Sequence, residues 1–281
     1  MKLCLPAKVS LYCYLGTITS FSFLLLLSPI QSVYFPILLY LIANVLIKCI
    51  STNEYYGFAV RASFLGFVFS LGLYTFQLAP NEYYIFGIYM AVMSFFHFTE
   101  FLSIALIQPK ELSVRSFLIY HSPEYVIAAV SSWLEFFLEA YLLPDMKIYK
   151  VVSYLGLVIC ISGEFLRKLA MMTANSNFNH IIQYTKADEH VLVTNGIYSM
   201  FRHPSYVGWF YWSIGTQIIL MNPICLIAYT LASWYYFNDR IRVEEITLLN
   251  FFGQQYSDYQ QHVGTGLPFI NGYIVRGTEF R

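Results

Sequence analysis

Two polar blocks near the carboxy-terminal end hold the residue types that could do chemistry. The first runs from Gln183 through Lys186-Ala187-Asp188-Glu189 and His190-Val191-Leu192-Val193-Thr194-Asn195-Gly196 to Arg202-His203-Pro204-Ser205-Tyr206. Three apolar residues ending in Asn-Gly read as a short extended piece and a turn, which leaves main-chain amides and carbonyls open to a ligand. A surface loop packed on lipid headgroups fits the same residues equally well. Pro204 disfavours the α region at His203 and suits the first turn of a helix, where unpaired amides can hold a carboxylate or phosphate. Interfacial anchoring by His203 and Tyr206 is the plainer alternative. The coincidence of three polar side chains with a helix N-terminus favours a ligand.

The second block is Asn238-Asp239-Arg240-Ile241-Arg242-Val243-Glu244-Glu245. On a helix Arg240 and Glu244 share a face, and Glu245 turns to another. As a surface ion pair the two would contribute only about 0.3 to 0.5 kcal/mol, and cation-before-anion is the weaker order. That weakness favours a ligand role for the pair. Gly253-Gln254-Gln255-Tyr256, Tyr259 and Pro268-Phe269-Ile270 then bring the tail back over the site.

The elements that must position these residues are membrane helices. Lys8 and Lys48 bracket 39 residues without a formal charge, about twice what a ~30 Å hydrocarbon core requires. The turn-like cluster Ser28-Pro29-Ile30-Gln31-Ser32 divides them into helices at 9–27 and 33–50. A cleavable signal peptide is disfavoured, because no AxA-type site follows the first run. Further spans are expected at 62–81, 83–107, 122–143 and 148–170, and a short hairpin at about 204–238 is broken at Asn222-Pro223. A separate charged helix at about 239–252 and a Gly/Pro-punctuated tail follow. The expectation is thus an all-α integral membrane protein of about eight transmembrane helices, one polytopic domain over 1–281. Six spans fill 1–170, and the catalytic region occupies 171–281. With both termini cytoplasmic, fourteen Lys and Arg lie on that side and only Lys147 and Lys150 opposite, as the positive-inside rule asks. If the hairpin brings its ends together, the two polar blocks meet at the cytoplasmic surface.

Composition agrees. Apolar residues make up 58% of the chain and charged residues 11%, against about 25% charged in soluble domains, and the mean hydropathy is +0.56. A net charge of zero excludes a field that would concentrate nucleic acid. Cys4, Cys13, Cys49, Cys160 and Cys225 form no CxxC pair and read as small buried hydrophobes, with no metal site expected. Among intramembrane acids, Glu164 is expected to pair with Arg167 and Lys168, and Glu135 and Glu139 to be structural. Glu100, on one face with His97, is left open. A transporter is disfavoured by the absence of internal repeats and of midplane charges other than Glu100.

The stretches HVLVTNGIYSMFRHPSYVGWFYWSIGTQ (190–217), NPIC (222–225) and DRIRVEEITLLNFFGQQYSDYQQHVGTGLPFI (239–270) resemble the isoprenylcysteine carboxyl methyltransferase family, integral endoplasmic-reticulum enzymes that methylate prenylated C-terminal cysteines. The RHPSYVG-plus-EE pairing alone is also similar to elements of phospholipid N-methyltransferases and membrane sterol reductases. The longer stretches distinguish the first family. The resemblance implies an S-adenosylmethionine site lined by Gln183, His190, Val191, Leu192, Val193, Tyr198, His203, Pro204, Ser205 and Tyr206, and completed by Glu244. It also implies that Arg240 binds the substrate carboxylate, with Arg240 and Glu244 as the catalytic pair. Prenylated CAAX proteins such as small GTPases would be the partners. RIRVEE replaces a more acidic run of vertebrate members and leaves Arg242 without a role. No GxGxxG occurs, so the cofactor pocket is not of the Rossmann type and must be built on the cytoplasmic side from the C-terminal third.

Overall fold

Proline or glycine stands at or just beyond several helix ends: Pro80, Pro109 and Pro144 follow helices, Pro123, Pro204 and Pro223 begin them, and Gly253 ends one. The computed structural model describes residues 3–27, 34–120 and 122–273. The expected turn at Ser28-Pro29-Ile30-Gln31-Ser32, and Lys2, Arg276 and Arg281 of the charge count, lie outside the described residues. Among the described residues all regular structure is helical. The helices are α1 (Leu5–Leu27), α2 (Tyr34–Ile50), α3 (Asn53–Leu78), α4 (Tyr84–Ile107), α5 (Pro123–Leu142), α6 (Lys150–Ala174), α7 (Pro204–Leu220), α8 (Pro223–Phe252) and α9 (Gln254–His262). Of these, α3, α4 and α5 are long and apolar enough to cross a membrane.

Several boundaries depart from the sequence reading: α1 starts at Leu5, ahead of Lys8, and α6 runs on to Ala174. α3 starts at Asn53, well before the charge-free run at 62, and carries Glu54 and Arg61 within it. Absence of charge marks the part suited to lipid, not where a helix must begin. The charged segment 239–252 is no separate helix. It continues α8 for 30 residues in all, because neither glycine nor proline interrupts the chain after Pro223 until Gly253 turns it at φ 53°.

The chain divides into two compact units. The first comprises residues 1–157 with 216–225. Its core stacks Tyr14 of α1 on Phe98 of α4 at 3.8 Å between ring centroids, and Phe101 on Phe117 at 4.0 Å. Close approach of α3 and α4 depends on facing glycines: a Cβ at Gly72 would lie 2.7 Å from the Gly87 carbonyl. At the α7–α8 turn the orphan helix ends are satisfied by side chains. Lys147 Nζ donates to Glu139 Oε2 at 2.6 Å, to the carbonyls of Leu220 and Met221 at 2.9 Å and to Asn222 Oδ1 at 3.2 Å. Glu135 accepts the Ile224 and Cys225 amides at 2.7 Å each. A cation on the end of α7 and an anion on the start of α8 both complement the helix dipoles. Glu135 and Glu139 are therefore structural, as expected from the sequence. Lys147→Met strands the Glu139 carboxylate and two carbonyls, and is expected to cost about 3 to 5 kcal/mol, read as a lowered unfolding midpoint in detergent.

The second unit comprises residues 158–215 and 226–281. Gly163 of α6 and Gly208 of α7 let those helices touch: a Cβ at Gly208 would lie 2.5 Å from the Gly163 carbonyl. Val207 and Phe210 of α7 pack with Phe237 and Ile241 of α8 and with Leu267 and Ile270 of the tail. Exposed apolar side chains, such as Val158, Ile161 and Phe165 on α6 and Ile227, Leu231 and Tyr235 on α8, form faces suited to acyl chains and not to water.

Candidate active site

Arg202-His203-Pro204 sets the start of α7. Proline supplies the fixed φ of the first helical turn, and the main chain just before it is held from the tail: Arg202 N donates to Gly264 O at 2.9 Å and His203 N to Thr265 O at 3.3 Å. The first-turn amides are less open than the sequence suggests. Tyr206 N and Val207 N both bond the His203 carbonyl, which leaves Ser205 N.

The uninterrupted α8 carries the second block to this point, so the two ends of the hairpin meet. Arg240 and Glu244 join through a third group instead of pairing directly: Arg240 Nε donates to the Tyr206 hydroxyl at 2.8 Å, and that hydroxyl donates to Glu244 Oε2 at 2.5 Å. The remaining Arg240 bonds run from Nη1 to Tyr236 Oη at 3.3 Å and from Nη2 to the His180 carbonyl. His203 stacks on Tyr206, with ring planes 4° apart. Its Nδ1 lies 3.9 Å from Glu244 Oε2.

Glu245, one residue on, faces the interior as the register predicts and is completely buried. Its Oε1 accepts Arg202 Nε at 2.8 Å, His203 Nε2 at 3.1 Å and Tyr256 Oη at 3.2 Å. Its Oε2 accepts Gln260 Nε2 at 3.1 Å and Tyr273 N at 2.6 Å. Arg202 spends its other donors on the carbonyls of Gln260, Val263 and Asn271. One buried carboxylate and one buried guanidinium thus lash the tail to the start of α7. Burial pushes the Tyr256 and Tyr198 hydroxyls well up, and Tyr259 to about 12. All three stay neutral donors near pH 7, and Tyr259 donates to the Tyr198 carbonyl.

Two adjoining cavities open here. Leu192, Val193, Tyr198, His203, Pro204 and Ser205 line one, and Gln183 and His190 line the other. Val191, Tyr206 and Glu244 face both. Every residue expected around the cofactor is thus in one place, while Arg240 lines neither cavity and stands behind Tyr206. The run 190–193 forms no strand. Its Val191 amide bonds Asn177 Oδ1 at 2.9 Å, and no main-chain bond within the described residues uses Leu192 or Val193. Asn195 leads into a 3-10 turn, Gly196–Ser199, in which Gly196 has φ 56°.

A family model for isoprenylcysteine carboxyl methyltransferases matches residues 155–250. A protein-S-isoprenylcysteine O-methyltransferase of Tribolium castaneum is 61% identical over 224 residues, covering 79% of this chain and 80% of that protein. The chain belongs to the isoprenylcysteine carboxyl methyltransferase family. The Homo sapiens protein-S-isoprenylcysteine O-methyltransferase is 51% identical over 232 residues, with 83% and 81% covered. A solved structure of a eukaryotic intramembrane Ras methyltransferase of this family matches 97% of this chain and 100% of its own, with a TM-score of 0.94 and 52% identity.

Sequence reasoning missed three residues of this candidate site. Arg167 is one: its Nη1 donates to Ser205 Oγ at 2.7 Å and its guanidinium lies 4.5 Å from the Trp209 ring centroid, while Glu164 pairs with Lys168 at 3.2 Å as expected. Glu245 and Arg202 are the others. A signal for Glu245 was present, since Phe237, Ile241, Glu245 and Leu249 recur every four residues and place an acid within an apolar stripe. No local signal pairs it with Arg202, 43 residues away.

Proposed function

We propose that the chain transfers a methyl group from S-adenosylmethionine to the C-terminal α-carboxylate of S-farnesyl or S-geranylgeranyl cysteine in CAAX-type proteins, including small GTPases. The observation that carries this reading is the Arg240–Tyr206–Glu244 chain at the edge of two cavities, in a member of a methyltransferase family. The cavity residues suit the donor. Glu244 Oε1 has no partner among the described residues and can accept an ammonium group. Main-chain groups of Leu192 and Val193 can read a purine edge, and Ser205 N can donate to a carboxylate. Bound there, the donor would supply an electrophilic methyl on a sulfonium.

The acceptor needs no general base, because an α-carboxylate of pKa about 3.5 is ionised at pH 7. What the protein supplies is orientation, which contributes about 7 to 11 kcal/mol in well-aligned cases. Arg240 has five N–H donors, of which three are engaged with Tyr206, Tyr236 and His180. The two left sit one on each terminal nitrogen, the pair a carboxylate bridges in bidentate fashion. The bonds to Tyr206, Tyr236 and His180 hold that fork rigid. Prenyl recognition is apolar burial, at roughly 0.8 kcal/mol per CH₂, and tolerates both chain lengths. The reading includes eight crossings, cytoplasmic termini and residence in the endoplasmic reticulum, so that the polar donor enters from the cytoplasm and the lipid from the bilayer.

Radiolabelled methyl transfer to N-acetyl-S-farnesylcysteine tests the proposal, with the non-prenylated analogue as control. Labelled ester from the first alone is expected; equal labelling of both, or of neither, rejects it. Glu244→Gln keeps a side chain of the same shape and removes the charge. Calorimetry should show the dissociation constant for S-adenosylmethionine raised about tenfold. An unchanged constant would remove Glu244 from the donor site.

A further inference from the structure

Phe269 is the most exposed large apolar side chain in the described tail, at 93% of its free surface. Its backbone is left-handed, φ 61°, a region that non-glycine residues rarely adopt. The strain is imposed from both sides. Thr265 Oγ1 donates to the Ile270 carbonyl at 2.5 Å and Ile270 N to the Leu267 carbonyl at 3.3 Å, while Leu267 and Ile270 are buried against Val207, Phe210, Phe237 and Ile241. The loop is pinned, and the ring is turned out.

The depth of the loop follows from one hydrogen bond. Trp234 Nε1 donates to the Pro268 carbonyl at 2.8 Å. Trp234 lies five residues before Asp239, the first charge on α8 after Pro223, hence about 7 Å inside the charge-free stretch. Residues 263–270 carry no charge either. Beside the loop is an open cavity of about 830 Å³ whose lining includes Tyr211, Leu267 and Pro268 as well as Gln260, Gln261 and His262. Aromatic and apolar side chains gathered with polar ones are the mixture found at a membrane–water boundary.

We propose that residues 265–270 form a membrane-inserting loop, with the Phe269 ring seated between the lipid headgroups and the upper acyl chains. The occupant of this surface is the bilayer itself. Because Arg202 binds the carbonyls of Val263 and Asn271, the lipid contact also anchors the tail that Arg202 ties to the start of α7. The inference needs α8 to cross the membrane and is independent of the chemistry proposed above.

The test places Phe269→Trp protein in nanodiscs with and without chain-brominated phosphatidylcholine, and reads the emission added over that of the parent's own tryptophans. The added indole should be blue-shifted, quenched by the brominated chains and shielded from aqueous iodide. Emission quenched by iodide and untouched by bromine overturns the proposal. Trp133, 41% exposed on α5, is the internal control, since its quenching by bromine shows that the protein is in the bilayer whatever the loop does. The unaltered protein supplies a second reading. Photolabelling with a diazirine-chain phosphatidylcholine should mark the 265–270 peptide along with α5, and label on α5 without label on that peptide overturns the proposal equally.

Discussion

Arg240→Ala abolishes methyl transfer, with kcat/KM reduced at least about a hundredfold, while S-adenosylmethionine still binds with nearly unchanged affinity. The split follows from where the residue stands. Arg240 lines neither cavity, and reaches Glu244 only through the Tyr206 hydroxyl. Its loss removes the two N–H groups available to the acceptor carboxylate, together with the donor that orients Tyr206. Glu244 and the open main chain of Leu192 and Val193 remain. Arg240→Lys should recover little, because a point charge cannot reproduce a planar fork fixed by three other bonds. Calorimetry on the donor and initial rates on the farnesylated acceptor give the two halves of the result. Collapse of donor affinity with an unchanged KM for the acceptor would contradict the role assigned to Arg240.

Glu245→Ala is expected to be the most damaging single change to the catalytic region. It leaves the Arg202 guanidinium buried without its anion, and strips His203 Nε2, Tyr256, Gln260 and the Tyr273 amide of their acceptor. Breaking one side of a buried pair costs about 3 to 5 kcal/mol, a large part of a total stability of about 5 to 15. The loss should be local before it is global. Hydrogen exchange should accelerate across 254–273, and the unfolding midpoint in detergent should fall. Glu245→Gln preserves shape and some acceptor capacity, and is expected to lie between parent and alanine variant in both measurements. Exchange in the alanine variant equal to the parent's across that segment would mean the tail is held by other contacts.

Several features of the site were legible in advance because they depend on neighbours in the chain. Pro204 starts α7, Pro223 starts α8 and Gly253 stops it, each through its own backbone chemistry. Arg240 and Glu244 share a face by the helical period alone. The bond from Arg167 to Ser205 was not legible in the same way. Spacing makes Glu164 a neighbour of Arg167 as well as of Lys168, but the contact of α6 with α7 at Gly163 and Gly208 brings Ser205 within reach of the guanidinium. No property of residues 164–168 records that approach.

The amino-acid sequence by itself determined a chain of apolar helices with its chemistry gathered at two ends of one hairpin, because charge-free length and helix-breaking residues act over a few neighbours at a time. Only the tertiary structure decided that Tyr206 stands between Arg240 and Glu244, that Glu245 holds Arg202 and the tail, and that Phe269 is turned outward. Those outcomes rest on side chains tens of residues apart competing for a few buried donors and acceptors, and which partner wins depends on distances that exist only once the helices have packed.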